Sequence, residues 1–175
     1  MIHIKHSTIP NFYSPSECHY MIKSITEWLN ATVATQDGEV HSQHRKAEIA
    51  KAEPLRAGEI FEHIQDYNYS NYNLHLNTKY KCTINKYEEG QGFGRHQDIV
   101  VNETSLKATE ARKISCAIQL NTEYEGGELI IGKTTASKGL GDLHIFHSIT
   151  PHEVAKVTRG TRYSLNIFAY GEIKF

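Results

Sequence analysis

The chain has 175 residues, enough for one domain with a sizeable hydrophobic core, and its hydrophobic (39%) and charged (22%) shares are typical of a globular protein. The formal net charge of −1 gives no general attraction to nucleic acid or anionic membrane, and no apolar run approaches membrane-spanning length. The three cysteines are far apart without CxxC spacing and the N-terminus lacks an apolar signal segment, so we expect a cytoplasmic protein with buried, reduced thiols.

The first predicted element is a helix over about 15–29. Ser14 can cap its N-terminus, Pro15 suits the first helical position, and Glu17 completes a capping box with Ser14. Apolar residues follow at helical spacing and form one stripe: Cys18, Met21, Ile22, Ile25, Trp28 and Leu29.

The next segment, residues 31–52, is polar. Its Asp37-Gly38 pair indicates a short hairpin, and Arg45 and Lys46 suit a flap over a substrate. A passive surface loop is the alternative interpretation.

A second helix is predicted over about 54–68, opened by Pro54. We expect Leu55, Phe61 and Ile64 to face inwards.

From residue 79 onward the apolar pattern has period two, which indicates strands. The predicted strands are about 80–88, 94–100, 112–120, 128–132, 142–147, 152–158 and 162–170. Many short strands after two helices favour a mainly β (α+β) fold, a β-sandwich or jelly roll with the helices packed on one sheet. The polar residues 101–111 are predicted to form a surface loop.

Two residues of the strand at 94–100 suggest a metal site. His96 and Asp98 are two positions apart, so on a strand their side chains would project to the same face. His152, which opens a later strand, can supply a third ligand. Two histidines and one carboxylate are typical of non-haem Fe(II) oxygenases. A His-x-Asp pair alone is common by chance, so this pattern needs support from elsewhere.

Other histidines compete for these roles. His147 is an alternative to His152 as the third ligand, and His144 lies nearby. His41 and His44 are interpreted as exposed residues of the polar segment.

The support comes from the last strand. Arg162 and Ser164 share a strand face, where a guanidinium and a hydroxyl can converge on a carboxylate. Arg162 follows His152 beyond a turn, and antiparallel neighbours so joined would place both side chains inside one barrel. Tyr87, at the end of an earlier strand, can reach the same carboxylate. The alternative is that Arg162 lies on a surface strand and Ser164 faces water.

The sequence resembles the prolyl 4-hydroxylase-like branch of the Fe(II)/2-oxoglutarate-dependent oxygenases over about 80–171. The resemblance is carried by Tyr-Glu-Glu-Gly-Gln at 87–91, His-Gln-Asp at 96–98, Leu-Asn followed by Gly-Gly-Glu within 120–128, and Gly-Asp, His-Glu-Val and Gly-Thr-Arg within 141–162. The order and spacing match those of the family.

The resemblance implies a double-stranded β-helix (jelly roll) core at 80–171, with helical support and a flap at 1–79, in one oxygenase domain spanning 1–175. It implies the following roles: iron ligands His96, Asp98 and His152, and a site for the C5 carboxylate of 2-oxoglutarate at Arg162, Tyr87 and Ser164. Many members have lysine in place of Arg162. Phe93 and Gln119 also depart from common family residues, and we interpret both as changes to the substrate pocket.

By the same resemblance the protein is a dioxygenase that uses Fe(II), 2-oxoglutarate and O2, with ascorbate as a further candidate cofactor. It would hydroxylate an unactivated C–H bond, with peptidyl proline as the leading substrate class and succinate and CO2 as coproducts. Alternatives are the same chemistry on a free amino acid or other small molecule, a cupin-like metal site without 2-oxoglutarate, and a non-catalytic β-sandwich. The expected partner is a peptide, protein or small-molecule substrate, without nucleic acid or membrane.

Overall fold

Two antiparallel β-sheets stack face to face, and two helices cover the outer side of the larger sheet. The computed structural model describes residues 6–35, 38–40, 44–99 and 110–172. The helices are α1 (Pro15–Lys23) and α2 (Ala57–Asn71). Within the described residues the strands are β1 (Ser7–Ile9), β2 (Leu29–Asn30), β3 (Val33–Thr35), β4 (Gly38–Val40), β5 (Arg45–Lys46), β6 (Glu48–Lys51), β7 (Leu76–Tyr87), β8 (Gly92–His96), β9 (Glu110–Gln119), β10 (Tyr124–Gly126), β11 (Leu129–Ile131), β12 (Thr134–Thr135), β13 (Leu143–His147), β14 (His152–Val154), β15 (Val157–Gly160) and β16 (Arg162–Glu172).

The major sheet has seven strands in the order β1-β13-β9-β16-β7-β6-β2, and the minor sheet has five in the order β12-β11-β14-β8-β5. Two-stranded ribbons pair β10 with β15 and β3 with β4. All these pairings are antiparallel. The predicted mainly β fold with helices on one sheet is confirmed.

The period-two pattern gives the central strands of the major sheet two different faces. On β16, Leu165 and Ile167 face the helices, whereas Arg162 and Ser164 face the minor sheet. Strands β7 and β9 alternate in the same way, so the inner face collects polar side chains: Thr83, Asn85, Ser115, Gln119, Arg162, Ser164 and Asn166. Because burying polar groups costs free energy unless they are paired, this inner face indicates a site rather than a plain core.

The three cysteines lie in the apolar core between the helices and the major sheet, and all are free thiols. Burial raises the pKa of Cys18 to about 11 and that of Cys82 to about 12, so both stay protonated at neutral pH. The expectation of buried, unpaired cysteines is confirmed.

Helix α1 begins as predicted and ends earlier. Ser14 Oγ accepts a hydrogen bond from the backbone N–H of Glu17 at 3.2 Å, and Glu17 Oε2 accepts one from the backbone N–H of Ser14 at 2.8 Å. The helix stops at Lys23 because Ser24 bonds back to the last turn and the chain then extends into β2, which pairs with β6. The predicted end at residue 29 was therefore wrong, and Leu29 is 59% exposed on a sheet edge rather than part of the apolar stripe.

Helix α2 begins three residues later than predicted. Pro54 lies before it, and Arg56 at the N-cap adopts a left-handed conformation (φ 54°) that turns the chain into the helix. Ile64 is buried as expected, and Leu55 and Phe61 pack partly buried against the same core.

Most predicted strands are present with shifted ends, and two are changed. The predicted strand 152–158 is split between β14, which pairs in the minor sheet, and β15, which pairs with β10. The predicted strand 94–100 is β8, which ends at His96. Asp98 therefore lies beyond the strand, and its backbone N–H donates to the carbonyl of Ser148 at 2.9 Å.

The polar segment at 31–52 contributes strands to both sheets. β3 and β4 pair as the predicted hairpin, with their connecting residues 36 and 37 outside the described part of the chain. β5 joins the minor sheet and β6 the major sheet, so residues 45–51 close one side of the stack. Of the predicted loop 101–111, residues 110 and 111 begin β9 and the others lie outside the described residues. No helix in the described ranges is long and apolar enough to cross a membrane.

The buried side chain of His144 should make the free energy of unfolding sensitive to acid. Its Nε2–H donates to the carbonyl of Ser137 at 3.1 Å and its Nδ1 accepts from Thr8 Oγ1 at 2.9 Å, and burial lowers its pKa from 6.5 to about 4. Below pH 6.5 His144 is protonated in the unfolded chain, but in the folded chain it stays neutral until the pH approaches 4. The free energy of unfolding therefore falls as the pH falls. We expect roughly 2 kcal/mol less stability at pH 5 than at pH 7 from this group.

The measurement is urea unfolding of the wild type and of His144→Gln at pH 7 and pH 5. The wild type should lose more free energy of unfolding between the two pH values than the variant does. Equal losses in both proteins would contradict this assignment.

Candidate metal centre

A cavity of about 610 Å³ lies between the two sheets. Its walls come from β7, β9 and β16 of the major sheet and from β8 and β14 of the minor sheet. All six site residues expected from the sequence line it: Tyr87, His96, Asp98, His152, Arg162 and Ser164.

Three of these side chains form a compact donor cluster. His96 on β8 and His152 on β14 are opposite each other in the paired strands, with ring centroids 4.2 Å apart. Asp98 Oδ1 lies 3.6 Å from His96 Nε2, and Asp98 Oδ2 lies 3.4 Å from His152 Nε2. One ligand atom from each residue lies within 4.8 Å of the others. Two imidazole nitrogens and one carboxylate so arranged fit a divalent iron with open coordination positions.

The protein backbone fixes both histidine rings. His96 Nδ1–H donates to the carbonyl of Gly94 at 2.8 Å, and His152 Nδ1–H donates to that of Thr150 at 2.9 Å. Because Nδ1 carries the proton, the lone pair of a neutral ring lies on Nε2, which is the atom that faces Asp98. Burial also lowers the pKa of His152, which favours the neutral, metal-binding form.

The Asp98 carboxylate is held in its ionised form. Burial acts to raise its pKa, but the adjacent His96 and His152 rings and the hydrogen bond from the Ser115 hydroxyl outweigh burial and hold the pKa at about 2. Ser115 Oγ donates to Asp98 Oδ2 at 2.6 Å and is bonded to the Ser148 hydroxyl at 2.8 Å. These contacts orient the carboxylate toward the two histidine rings, although Asp98 lies beyond the end of β8.

Loss of the Ser115 hydroxyl should weaken the metal site without removing a ligand. We expect Ser115→Ala to lower Fe(II) affinity about 10- to 100-fold, the usual cost of losing an outer partner of a ligand. Anaerobic Fe(II) titration measures this, with Ser24→Ala, a hydroxyl at the end of α1, as the control. Equal affinities in Ser115→Ala and the wild type would show that Ser115 does not orient Asp98.

The other described histidines considered from the sequence, His147, His144 and His44, lie outside the donor cluster. His147 points to the helix side, where its ring contacts Tyr72 at 4.7 Å between centroids. His144 is bound to Thr8 and Ser137. His44 is exposed, as expected, and lines the cavity beside Phe93 without joining the donor cluster, and His41 lies outside the described residues. The choice of His152 over His147 agrees with this geometry.

Arg162 reaches the cavity by a route that the sequence did not predict. His152 lies on β14 in the minor sheet, and Arg162 lies on β16 in the major sheet. Between them the chain forms β15, which pairs with β10 in a separate ribbon. The expectation that β14 and the last strand are antiparallel neighbours was wrong. The two side chains instead line the same cavity from opposite sheets, and Arg162 is directly opposite Tyr87 in the pairing of β16 with β7.

The guanidinium of Arg162 is 2% exposed, yet no carboxylate of the described residues pairs with it. Its Nη1 donates to Ser164 Oγ at 3.1 Å, its Nη2 donates to Gln119 Oε1 at 3.4 Å, and its Nε has no partner. A buried cation needs an anion, so this arrangement fits the carboxylate of a ligand. Surface exposure of Arg162 and Ser164, the alternative from the sequence, is excluded.

Two neighbours complete the surroundings of the arginine. Tyr87 is buried with its ring 5.6 Å from the Arg162 guanidinium carbon, and its hydroxyl accepts from Asn85 Nδ2 at 3.2 Å, which leaves its own proton to donate. Gln119 Nε2 donates to the Tyr124 hydroxyl at 2.5 Å, so its carbonyl oxygen is turned to Arg162.

Sequence reasoning missed Ser115 and placed Gln119 in the substrate pocket, whereas it contacts the arginine. Both side chains lie on the inner face of β9. They are polar residues four positions apart in an otherwise apolar stretch of the strand. That polar alternation is the signal that could have found them. Arg112, on the same strand and also in the cavity wall, was missed as well.

Comparison with known proteins supports the geometry. The profile of a family described as the 2OG-Fe(II) oxygenase superfamily matches residues 82–170. A PKHD-type hydroxylase of Xylella fastidiosa strain M12 is 40% identical over 90 residues, which cover 45% of this chain and 39% of that protein. The chain thus spans about two fifths of the length of the curated relatives it matches.

Two solved structures share the fold over nearly the whole chain. A viral collagen prolyl hydroxylase from Paramecium Bursaria Chlorella virus-1, solved as a 2OG complex, has a TM-score of 0.70 at 18% identity and covers 95% of this chain and 96% of its own. A prolyl hydroxylase from Trichoplax adhaerens, in complex with a peptide fragment of the hypoxia inducible factor oxygen degradation domain, has a TM-score of 0.71 at 19% identity, covering 97% and 84%. The likeness confirms the predicted jelly roll.

Proposed function

Since this chain belongs to the 2OG-Fe(II) oxygenase superfamily, we propose that it is an Fe(II)- and 2-oxoglutarate-dependent dioxygenase that hydroxylates an unactivated C–H bond. The observation that carries the proposal is one cavity holding both a His-Asp-His cluster and a buried arginine that lacks a carboxylate partner among the described residues. In this proposal residues 1–175 act as one oxygenase domain, with 80–171 as the jelly-roll core and 1–79 as support and flap.

In this proposal His96, Asp98 and His152 hold Fe(II). The backbone bonds to both Nδ1 atoms keep the two rings aimed, and Ser115 keeps the carboxylate aimed. These three side chains would supply three ligands, and a divalent iron held by them would have further positions for a chelating cosubstrate and for O2.

Arg162, Ser164 and Tyr87 hold the C5 carboxylate of 2-oxoglutarate. The guanidinium supplies the charge, and the two hydroxyls supply further donors, because each also accepts a bond from a neighbour and so can turn its proton to the ligand. Gln119 fixes the guanidinium from the other side.

When bound, Fe(II) with 2-oxoglutarate and O2 supplies the oxidising chemistry that hydroxylates the substrate and yields succinate and CO2. The chain's own task is to position the reactants and exclude water. Phe146 packs against the His152 ring at 4.8 Å, and apolar residues of both sheets cover the cavity wall around the cluster: Ala117, Leu129 and Val154. Ascorbate as an added reductant and a cytoplasmic location stay predictions.

Peptidyl proline remains the leading substrate class, supported by solved prolyl hydroxylases of the same fold. The same chemistry on a free amino acid or another small molecule is the alternative. A panel of proline-containing peptides and small molecules, assayed for succinate release above the substrate-free rate, separates these classes.

The test of the oxygenase itself is anaerobic titration with Fe(II) in the presence and absence of 2-oxoglutarate. We expect a weak visible charge-transfer band only when both are present. Absence of the band in folded protein would refute the proposal. Binding of Fe(II) with no response to 2-oxoglutarate would favour a cupin-like metal site instead.

A further inference from the structure

Among the described residues, the charges that line the cavity are out of balance. Four Arg or Lys side chains and two carboxylates from this part of the chain line it: Arg45, Lys81, Arg112 and Arg162, with Asp98 and Glu110. Fe(II) and 2-oxoglutarate carry opposite charges of equal size, so binding both leaves this excess of positive charge unchanged. The chain as a whole has a net charge of −1, so the excess is a local property of the cavity.

Arg112 lies where this charge would act on a substrate. Its guanidinium carbon is 4.1 Å from the ring centroid of Phe168, and its Nη1 is 4.0 Å from Asp98 Oδ1. A separation of 4.0 Å is an ion pair without a hydrogen bond, and Arg112 donates no hydrogen bond to any residue within the described ranges. Among the described residues, no hydrogen-bond acceptor occupies its donors next to the metal cluster.

Lys81, an exposed cation that also lines the cavity, lies on the strand that flanks Phe168 on the side away from Arg112. It is directly opposite Phe168 in the pairing of β7 with β16, and Arg112 lies on β9, the neighbour of β16 on its far side. Lys81 forms no ion pair with any residue that the structure describes. Glu110 cannot neutralise this pair, because it already binds Lys79 at 2.7 Å and Asn77 at 2.8 Å.

We propose that the substrate carries a free carboxylate, and that Arg112 and Lys81 bind it over the Phe168 ring. This inference rests on the proposed oxygenase function and deepens it. Because Arg112 adjoins Asp98, the carboxylate must be close in the substrate to the carbon that reacts. A free amino acid and the C-terminal or acidic residue of a peptide both offer this chemistry.

The experiment compares carboxylates with their uncharged carboxamides in the Fe(II)·2-oxoglutarate holoenzyme. The carboxylate probes are the free L-amino acids, the dipeptides Ala-Xaa, and acetyl-Pro-Asp. Each is compared with the corresponding amide, which for acetyl-Pro-Asp is acetyl-Pro-Asn. Succinate formation above the substrate-free rate is one readout, and the anaerobic shift of the charge-transfer band on probe addition is the other. We expect at least one carboxylate to exceed its amide about 10-fold or more in kcat/KM, in line with a charge-assisted pair.

Arg112→Gln should abolish this preference for the carboxylate, whereas Fe(II) and 2-oxoglutarate should still form the band. Arg159→Gln, an exposed arginine paired with Glu125 away from the cavity, is the matched control and should keep the preference. If Arg112 serves only to support Asp98, its variant loses Fe(II) affinity and keeps the preference, which would overturn the proposal.

The proposal is also overturned if amides equal carboxylates, or if no carboxylate probe stimulates succinate formation or shifts the band. Failure of the band to form at all is a different result, since it refutes the oxygenase function itself. Free amino acids, C-terminal carboxylates and acidic side chains are distinguished by which set of probes responds.

Discussion

His152→Ala should abolish tight Fe(II) binding, whereas His147→Ala should leave it intact. His152 presents Nε2 to the metal cluster 3.4 Å from Asp98, while His147 lies against Tyr72 on the helix side of β13. Loss of one of three ligands should cost more than the roughly 10- to 100-fold typical of losing an outer partner. Anaerobic titration with Fe(II), followed by the charge-transfer band in the presence of 2-oxoglutarate, measures both variants.

This pair is informative because the two histidines are neighbours in sequence on either side of one turn. Both variants remove an imidazole that is at least partly buried, so effects on folding are comparable and can be checked by thermal unfolding. Iron binding retained in His152→Ala would remove His152 from the metal site, and iron binding lost in a folded His147→Ala protein would contradict the placement of His147 outside it.

Arg162→Gln should raise the concentration of 2-oxoglutarate needed for half-saturation by about 30-fold or more. Breaking a buried, charge-assisted pair usually costs about 2 kcal/mol or more, and here the variant keeps a hydrogen-bonding side chain without the charge. Titration of 2-oxoglutarate into the anaerobic Fe(II) protein gives the affinity directly. Fe(II) binding without 2-oxoglutarate should be unchanged.

The stability of this variant provides a second check. Because Arg162 is a buried cation with no carboxylate partner among the described residues, its removal should not lower the melting temperature of the ligand-free protein. Arg162→Lys keeps the charge and should fall between wild type and Arg162→Gln. Unchanged 2-oxoglutarate affinity in Arg162→Gln would place the cosubstrate elsewhere.

Features set by neighbouring residues were predictable from the sequence. The capping box of Ser14 and Glu17 depends only on residues three apart, and it is present. The alternation of apolar and polar residues placed Arg162 and Ser164 on one face of β16, and they are hydrogen-bonded there.

Features set by distant strands were not predictable in the same way. Helix α1 stops at Lys23 because residues 29 and 30 pair with β6, a partner that local propensity does not reveal. Likewise β14 and β15 separate because each pairs in a different sheet. Asp98 was assigned to the cavity by a strand pleat that ends two residues before it, and contacts from Ser148 and Ser115 put it there instead.

The hydrogen bonds that hold the two histidines suggest how the centre would respond to random mutagenesis. Each ring is bonded to the carbonyl two residues earlier in its own chain segment, at Gly94 and Thr150. Every amino acid has a carbonyl, so a small replacement of Thr150 keeps the acceptor, whereas a Cβ at Gly94 would collide with the His44 ring. The carboxylate, in contrast, is aimed by the hydroxyl of Ser115, which a single nucleotide change can delete. Thr150 is itself fully buried, so the comparison applies to replacements that add no bulk: Ser115→Ala should weaken Fe(II) binding far more than Thr150→Ala or Thr150→Ser.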